Sequence, residues 1–198
     1  QCCEDYIRGI PVNCDEEYQP FWTGMSEYLD WFDVIHWSER PLRRDWYHLR
    51  SDDKEVAFVW STEHEYAGCP DIIGEIGGVK VIADFKTSNG PYMNTFPDRG
   101  DRVGYGGFRK YQKCAQQMAA YRLALEERTG YRCDVALIIA TTPETTQGIF
   151  IDGDQLDLYE SRFIKRAQMF HELDREKNEI KSRSKQKLQK QRESTASS

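Results

Sequence analysis

Two runs of strand-forming residues, Pro70–Ile76 and Val79–Lys86, meet at Gly77-Gly78, and the charged residues they carry are spaced to hold a divalent cation. A Gly-Gly pair between such runs signals a two-residue hairpin, because both loop positions of the favoured turn need positive φ. With Gly77 and Gly78 as the loop, Ile76 faces Val79. Counting outward along both strands, Asp71 then faces Asp84 on one side of the hairpin, with Cβ atoms about 4.5–5.5 Å apart. Lys86, two residues beyond Asp84, shares that side. Directly opposed carboxylates repel and cost stability. A cation between them removes the repulsion, and hard oxygen donors of this kind suit Mg²⁺ or Mn²⁺. A lysine beside that cation can orient a water or stabilise charge developing on a phosphoryl group. The bland alternative is an exposed hairpin bearing surface acids and a surface lysine.

A second pair of polar residues lies on the helix expected over Lys110–Arg128. Gln117 and Tyr121 in Gln117-Met118-Ala119-Ala120-Tyr121 are four apart, so they share a helix face and can reach one substrate strand. Asp71, followed after twelve residues by Asp84-Phe85-Lys86, resembles the signature of the PD-(D/E)xK nuclease superfamily, here with a literal Pro70-Asp71. The flanks Tyr66-Ala67-Gly68 and Thr87-Ser88 are similar to the RecB-type branch, in which a Gly lies three residues before the first Asp and a D-x-K-T(S) run is common. That branch also carries Q-x-x-x-Y on the following helix, as Gln117 and Tyr121 do here.

The resemblance runs from about Glu55 to Thr142, under half of the chain, and is similar to exonucleases of the mitochondrial-genome-maintenance type and their phage relatives. Adaptation-stage CRISPR exonucleases share it too, but they carry a cysteine cluster that this chain lacks. The resemblance implies a restriction-endonuclease-like α/β core, a mixed central β-sheet flanked by helices. It implies that Asp71, Asp84 and the carbonyl of Phe85 bind Mg²⁺ or Mn²⁺, that Lys86 is catalytic, and that Thr87, Ser88, Gln117 and Tyr121 contact substrate. Glu55, in the preceding strand, sits where many relatives have an acid. The implied activity is metal-dependent hydrolysis of DNA phosphodiesters, exonucleolytic and on single strands or ends, as in repair or replication. The sequence departs from the branch in one respect. RecB-type nucleases place a metal-binding His on an N-terminal helix, in G-T-x-x-H-x-x-x-E. If Glu4 is the Glu of that pattern, its His falls one residue before Gln1. His36, His48 and His64 lack the motif's context and read as surface or packing histidines.

Composition narrows the remaining choices. With 198 residues, 39% hydrophobic and 13% aromatic, five of them Trp, the chain can bury a sizeable core. No apolar run is long enough for a membrane span, so no membrane partner is expected. The opening Gln1-Cys2-Cys3-Glu4 shows no signal-peptide pattern, and its lack of Met reads as a fragment or as numbering that omits upstream residues. The six cysteines, Cys2, Cys3, Cys14, Cys69, Cys114 and Cys133, include no C-x₂-C pair, so neither zinc nor an iron–sulfur cluster is expected. They read as reduced thiols of an intracellular protein, in the cytoplasm, or the host cytoplasm if the source is a phage. Net charge is −6, but residues 180–198 carry six basic side chains against Glu193, leaving −11 on the rest. An acidic body argues against broad coating of nucleic acid and is compatible with a local acidic metal site.

The elements that must position these residues follow from periodicity. Residues 2–50 read as two or three helices, one of them around Gly24–Phe32, closed near Pro41. Strands are expected over Glu55–Ser61, Pro70–Ile76, Val79–Lys86 and Asp134–Thr141. Residues 88–109, rich in Gly and Pro, read as a long loop. Its Tyr92, Phe96, Tyr105 and Phe108, beside Arg99, Arg102, Arg109 and Lys110, could stack bases and hold phosphates. A helix over Lys110–Arg128 ends at Gly130, and a last helix begins near Asp154. Residues 1–179 then form one nuclease-type domain and 180–198 a basic extension, helical or disordered. Two rivals stand beside the exonuclease reading: a non-catalytic nucleic-acid-binding module on the same fold, and a restriction-type endonuclease.

Overall fold

A computed structural model describes residues 2–51 and 57–196, with side chains described as far as Gln186. The chain is a mixed α/β protein. Two helices, α1 (Cys2–Ile7) and α2 (Gln19–Leu29), lead into β1 (Val34–Ser38). A small two-stranded ribbon follows, β2 (Val59–Ser61) with β3 (Tyr66–Gly68), then β4 (Ile72–Ile76), β5 (Val79–Thr87) and the long helix α3 (Arg102–Thr129). Strands β6 (Val135–Thr141) and β7 (Thr146–Ile151) and the helix α4 (Gly153–Ala196) complete it. Five strands form one sheet in the order β1-β4-β5-β6-β7. β5 and β6 run parallel, and every other neighbouring pair is antiparallel. The parallel step is the one that needs a crossover, and α3 supplies it.

Alternation along the strands feeds two cores. Ile72, Val81, Ala83, Leu137 and Ile139 face Met25 and Leu29 of α2. Their neighbours Ile73, Ile82, Ala136, Ile138 and Ala140 face the other way, against Cys114, Ala115, Met118 and Leu125 of α3. β6 is covered on both sides, which is why it reads as an unbroken apolar run rather than an alternating one.

The hairpin forms in the expected register, from Ile76 opposite Val79 to Ile72 opposite Ala83. Both loop glycines have positive φ, 57° and 78°, as the tight turn requires. Three elements differ from the sequence expectation. The loop after β5 is shorter than residues 88–109, because α3 starts at Arg102. Asp101 caps it, its Oδ1 accepting from the Gly104 amide at 2.8 Å. Gly104 and Gly107 serve close packing rather than turns: a Cβ on Gly107 would lie 2.7 Å from the Pro91 carbonyl oxygen. Residues 34–38, expected to lie within a helical region, instead form edge strand β1, whose β-branched and aromatic residues pair with β4 across a bulge between Ile35 and Trp37. β7 was also not anticipated. Glu55 lies outside the described residues, so the expected strand is seen only as β2. α4 runs as one helix through residue 180, and no helix among the described residues is long and apolar enough to cross a membrane.

Candidate active site

Asp71 sits immediately before β4, where the main chain is pinned from β1. The indole Nε1 of Trp37, a fully buried side chain, donates to the Pro70 carbonyl at 2.7 Å. The amide of Glu39, itself held at a φ of 53°, donates to the Asp71 carbonyl at 2.9 Å. The Asp71 side chain turns toward β5, where its Oδ2 accepts from the Phe85 amide at 2.7 Å. The carboxylate thus satisfies a strand donor beyond the last paired rung, Ile72 with Ala83.

Asp84 lies within β5 and is only 2% exposed. Its Oδ2 accepts from Cys114 Sγ at 3.2 Å and forms an ion pair with Lys86 Nζ. Asp84 and Lys86 therefore share the α3 side of the sheet, as their spacing requires. The Lys86 side chain is 29% exposed, so the ammonium lies toward solvent and the carboxylate inward.

The electrostatics match this placement. Burial and the Asp84 charge push the Asp71 carboxyl up to about 7, against the opposing pull of the Phe85 amide and Lys86. Burial works to lower the Lys86 pKa, but the neighbouring Asp84 outweighs it and holds the ammonium above its ordinary range. Burial, aided by Asp84, pushes the Cys114 thiol far up, keeping it a protonated donor to the carboxylate. One ammonium therefore sits beside two carboxylates, one buried and one half-buried, and the second bears the cost.

That donor set fits a hard divalent cation. Mg²⁺ is commonly held by one or two carboxylates, with water and substrate phosphate completing the octahedron. Among the described residues no group of three or more His, Cys, Asp and Glu side chains gathers around one point. Glu4, on α1, is ion-paired to Arg8 instead. His36 pairs with Glu75 at 3.0 Å and packs edge-on against Trp46 and Tyr131, His48 Nδ1 contacts the Asp45 carbonyl at 2.9 Å, and His64 approaches Glu63 at 4.0 Å. All three act in local structure.

Gln117 and Tyr121 do share one face of α3, with Gln117 Nε2 donating to Tyr121 Oη at 2.6 Å. The Tyr121 ring lies on the backbone of Gly68, where a Cβ would come within 2.1 Å of Cε1. That contact gives the glycine three residues before Asp71 a physical reason. Thr87 ends β5 opposite Thr141. Ser88 Oγ donates to the Gly90 carbonyl and accepts from Lys110 Nζ, both at 2.6 Å.

Two open grooves adjoin the carboxylate pair, although neither is lined by Asp71 or Asp84. One, of about 650 Å³, is bounded by Thr87, Ser88, Tyr92, Lys110 and side chains of α1 and α2. The other, of about 550 Å³, runs between α3 and α4 and includes Gln117 and Tyr121. Of the loop aromatics, Tyr92 is less available than expected, whereas Phe96 is exposed. Tyr92 is buried, and Phe96 packs edge-on against Tyr105 and Phe108 at 5.4 Å. Sequence reasoning missed Trp37, Glu39 and Cys114. Cys114 had a readable signal, since it lies three residues before Gln117 on the same helix face. Trp37 had none, because its contact depends on a bulged pairing.

No protein-family model matches the chain, and no curated protein matches it. Among solved structures, SSO0001 is similar over 52% of this chain and 41% of its own, at 16% identity and a TM-score of 0.29. The chain thus spans about two fifths of that protein's length, and at that TM-score the likeness assigns neither fold nor activity.

Proposed function

We propose that the chain is a divalent-metal-dependent nuclease that hydrolyses DNA phosphodiesters, acting on single strands or ends, on a restriction-endonuclease-like core of the RecB type. The observation that carries the reading is the placement of the half-buried Asp71 beside the buried Asp84, with Lys86 in contact with Asp84 on the open side. The hairpin, the parallel β5–β6 step through α3 and the Gly68–Tyr121 contact all accord with it.

Asp71, Asp84 and the Phe85 carbonyl would hold Mg²⁺ or Mn²⁺, which when bound polarises a phosphoryl oxygen and lowers the pKa of water. The chain's own residues do the rest. The Phe85 amide and the Cys114 thiol fix one oxygen each of Asp71 and Asp84, so both carboxylates are pre-oriented. Lys86 holds a positive charge at the open side, where a phosphate would bring negative charge. Gln117 and Tyr121 form a polar edge on the neighbouring groove that would orient the strand.

End-labelled linear and circular single-stranded DNA, incubated with Mg²⁺, Mn²⁺ or EDTA, tests the reading. Cleavage of the linear substrate alone, abolished by EDTA, is the expected result. Cleavage of circles would make it an endonuclease. The lack of a three-ligand cluster among the described residues favours one alternative, a non-catalytic nucleic-acid-binding module. Binding without cleavage under every metal condition would establish that alternative.

A further inference from the structure

The groove between α3 and α4 has walls that no sequence motif accounts for. Lys113, Gln116 or Gln117, and Ala120 or Tyr121 line it at helical spacing on α3. Phe163, Arg166 or Ala167, and Phe170 do so on α4. Ala120 and Ala167 are small enough to leave the cleft open. Phe170 is 66% exposed, an unusual placement for a large aromatic ring. Phe163 packs edge-on against Tyr66 at 4.8 Å, so its other surfaces border the cleft.

Lys113 and Arg166 outnumber the one carboxylate, Glu65, among the residues that line the groove. Among the described residues no carboxylate pairs with Lys113 or Arg166; Arg166 Nη1 donates to the neutral Gln116 amide oxygen at 2.8 Å. Glu65 approaches His171 at 3.8 Å. Unpaired cations in a cleft of a chain with net charge −6 call for an anionic partner.

We propose that this groove is the track for a single nucleic-acid strand, its bases stacking on Phe163 and Phe170 and its phosphates meeting Lys113 and Arg166. The choice of nucleic acid over another polyanion rests on the nuclease reading. The single strand follows from the aromatic walls, since bases paired and stacked in a duplex cannot offer their faces to side chains. Tyr121 links the groove to the site: it lines the groove and its ring lies on Gly68, three residues before Asp71. α4 thereby becomes a substrate-binding element.

The test is fluorescence anisotropy with a labelled oligothymidylate in EDTA, so that binding is read without cleavage. Phe170→Ala, an exposed change that spares the core, should weaken binding by about fivefold or more, the loss of one stacked base. Arg166→Ala should weaken it and reduce the slope of log affinity against log salt by about 0.7, one phosphate contact on a single strand. Wild-type affinity and salt slope in both variants would overturn the groove. So would equal binding of a duplex with the same losses, or a Phe170→Ala effect confined to oligomeric state in light scattering. The two readings fail separately. A wild type that cleaves nothing yet loses binding in both variants sinks the nuclease and keeps the groove. A wild type that cleaves while both variants bind normally does the reverse.

Discussion

Replacing Asp71 by Asn should make the metal-free protein more stable, not less. The Asp71 carboxyl is held at about 7 against an ordinary 3.8, a difference corresponding to about 4 kcal/mol when the group is forced to ionise. That figure is a ceiling, because water and local relaxation reduce it. Asn keeps the acceptor that the Phe85 amide uses and removes only the charge. Asp84 keeps both Lys86 and Cys114, so no other group is orphaned. For this reason the gain belongs to Asp71, whereas Asp84→Asn would strip Lys86 of its ion pair.

The pH dependence fixes the sign. A carboxyl whose folded pKa is raised binds its proton more tightly when folded, so wild-type stability falls as pH rises from about 4 through about 7. The advantage of Asp71→Asn should therefore be absent near pH 4, open across that window and be complete by pH 8. Recovering a quarter of the ceiling, about 1 kcal/mol, would raise Tm by about 2–4 °C in a chain of this size. The assay is thermal melting in EDTA at pH 4, 6 and 8, repeated at pH 8 with Mn²⁺. Saturating Mn²⁺, at a hundred times its Kd, should add about 2.7 kcal/mol to the wild type and much less to the variant, reversing their order. A variant less stable than wild type in EDTA at pH 8 would mean that the carboxylate is structural, and the metal assignment would fall with it.

Lys86→Ala should slow cleavage by about two orders of magnitude or more while calorimetric Mn²⁺ affinity holds, and Lys86→Arg should not restore the rate because a planar guanidinium is no substitute for a point charge. Gly68→Ala should cost about 1–3 kcal/mol by driving a methyl into the Tyr121 ring. Combining it with Tyr121→Ala should recover most of that loss in urea denaturation, and simple additivity would refute the contact. Arg122→Met should destabilise by about 3 kcal/mol, the low end for a broken buried pair, since it leaves the mostly buried Glu160 with only Arg132 at 4.0 Å while the largely exposed Asp157 is rescued by water and Arg132. A urea midpoint unchanged from wild type would show that the ion pairs around Arg122 contribute nothing net.

How much of this was legible in the sequence depended on whether the signal was local. The Gly77-Gly78 turn fixes the hairpin register from one dipeptide, and the facing of Asp71 and Asp84 follows by counting. Gln117 and Tyr121 likewise follow from helix periodicity. What stayed hidden needs partners far away in the chain. The strand over Val34–Ser38 carries no clean alternation, because its bulge breaks the period and one end is exposed. The glycines at 104, 106 and 107 read as loop signals, although Gly104 and Gly107 are tolerated in α3 for close approach to Asp101, Pro97 and Pro91. The α3–α4 groove could not be read at all, since the stripe of Phe163, Arg166 and Phe170 resembles any amphipathic helix edge until α3 is placed beside it.

The bland alternative for the hairpin, surface acids beside a surface lysine, is weakened by the way the charges are held. Surface carboxylates adjust their rotamers, stay hydrated and keep ordinary pKa values. Asp84 instead is almost wholly buried, and Asp71 is held by a main-chain amide in a position where its charge is unfavourable. The groups that hold the pair are neutral: a buried indole on the Pro70 carbonyl, two amides and a thiol. Neutral donors fix geometry without cancelling charge, so the local field stays negative apart from Lys86. A sequence selected for stability alone would place an apolar residue or a second cation at one of these positions. Local rules broken without visible compensation concentrate at functional sites, and under the proposed reading a divalent cation would supply the compensation missing here.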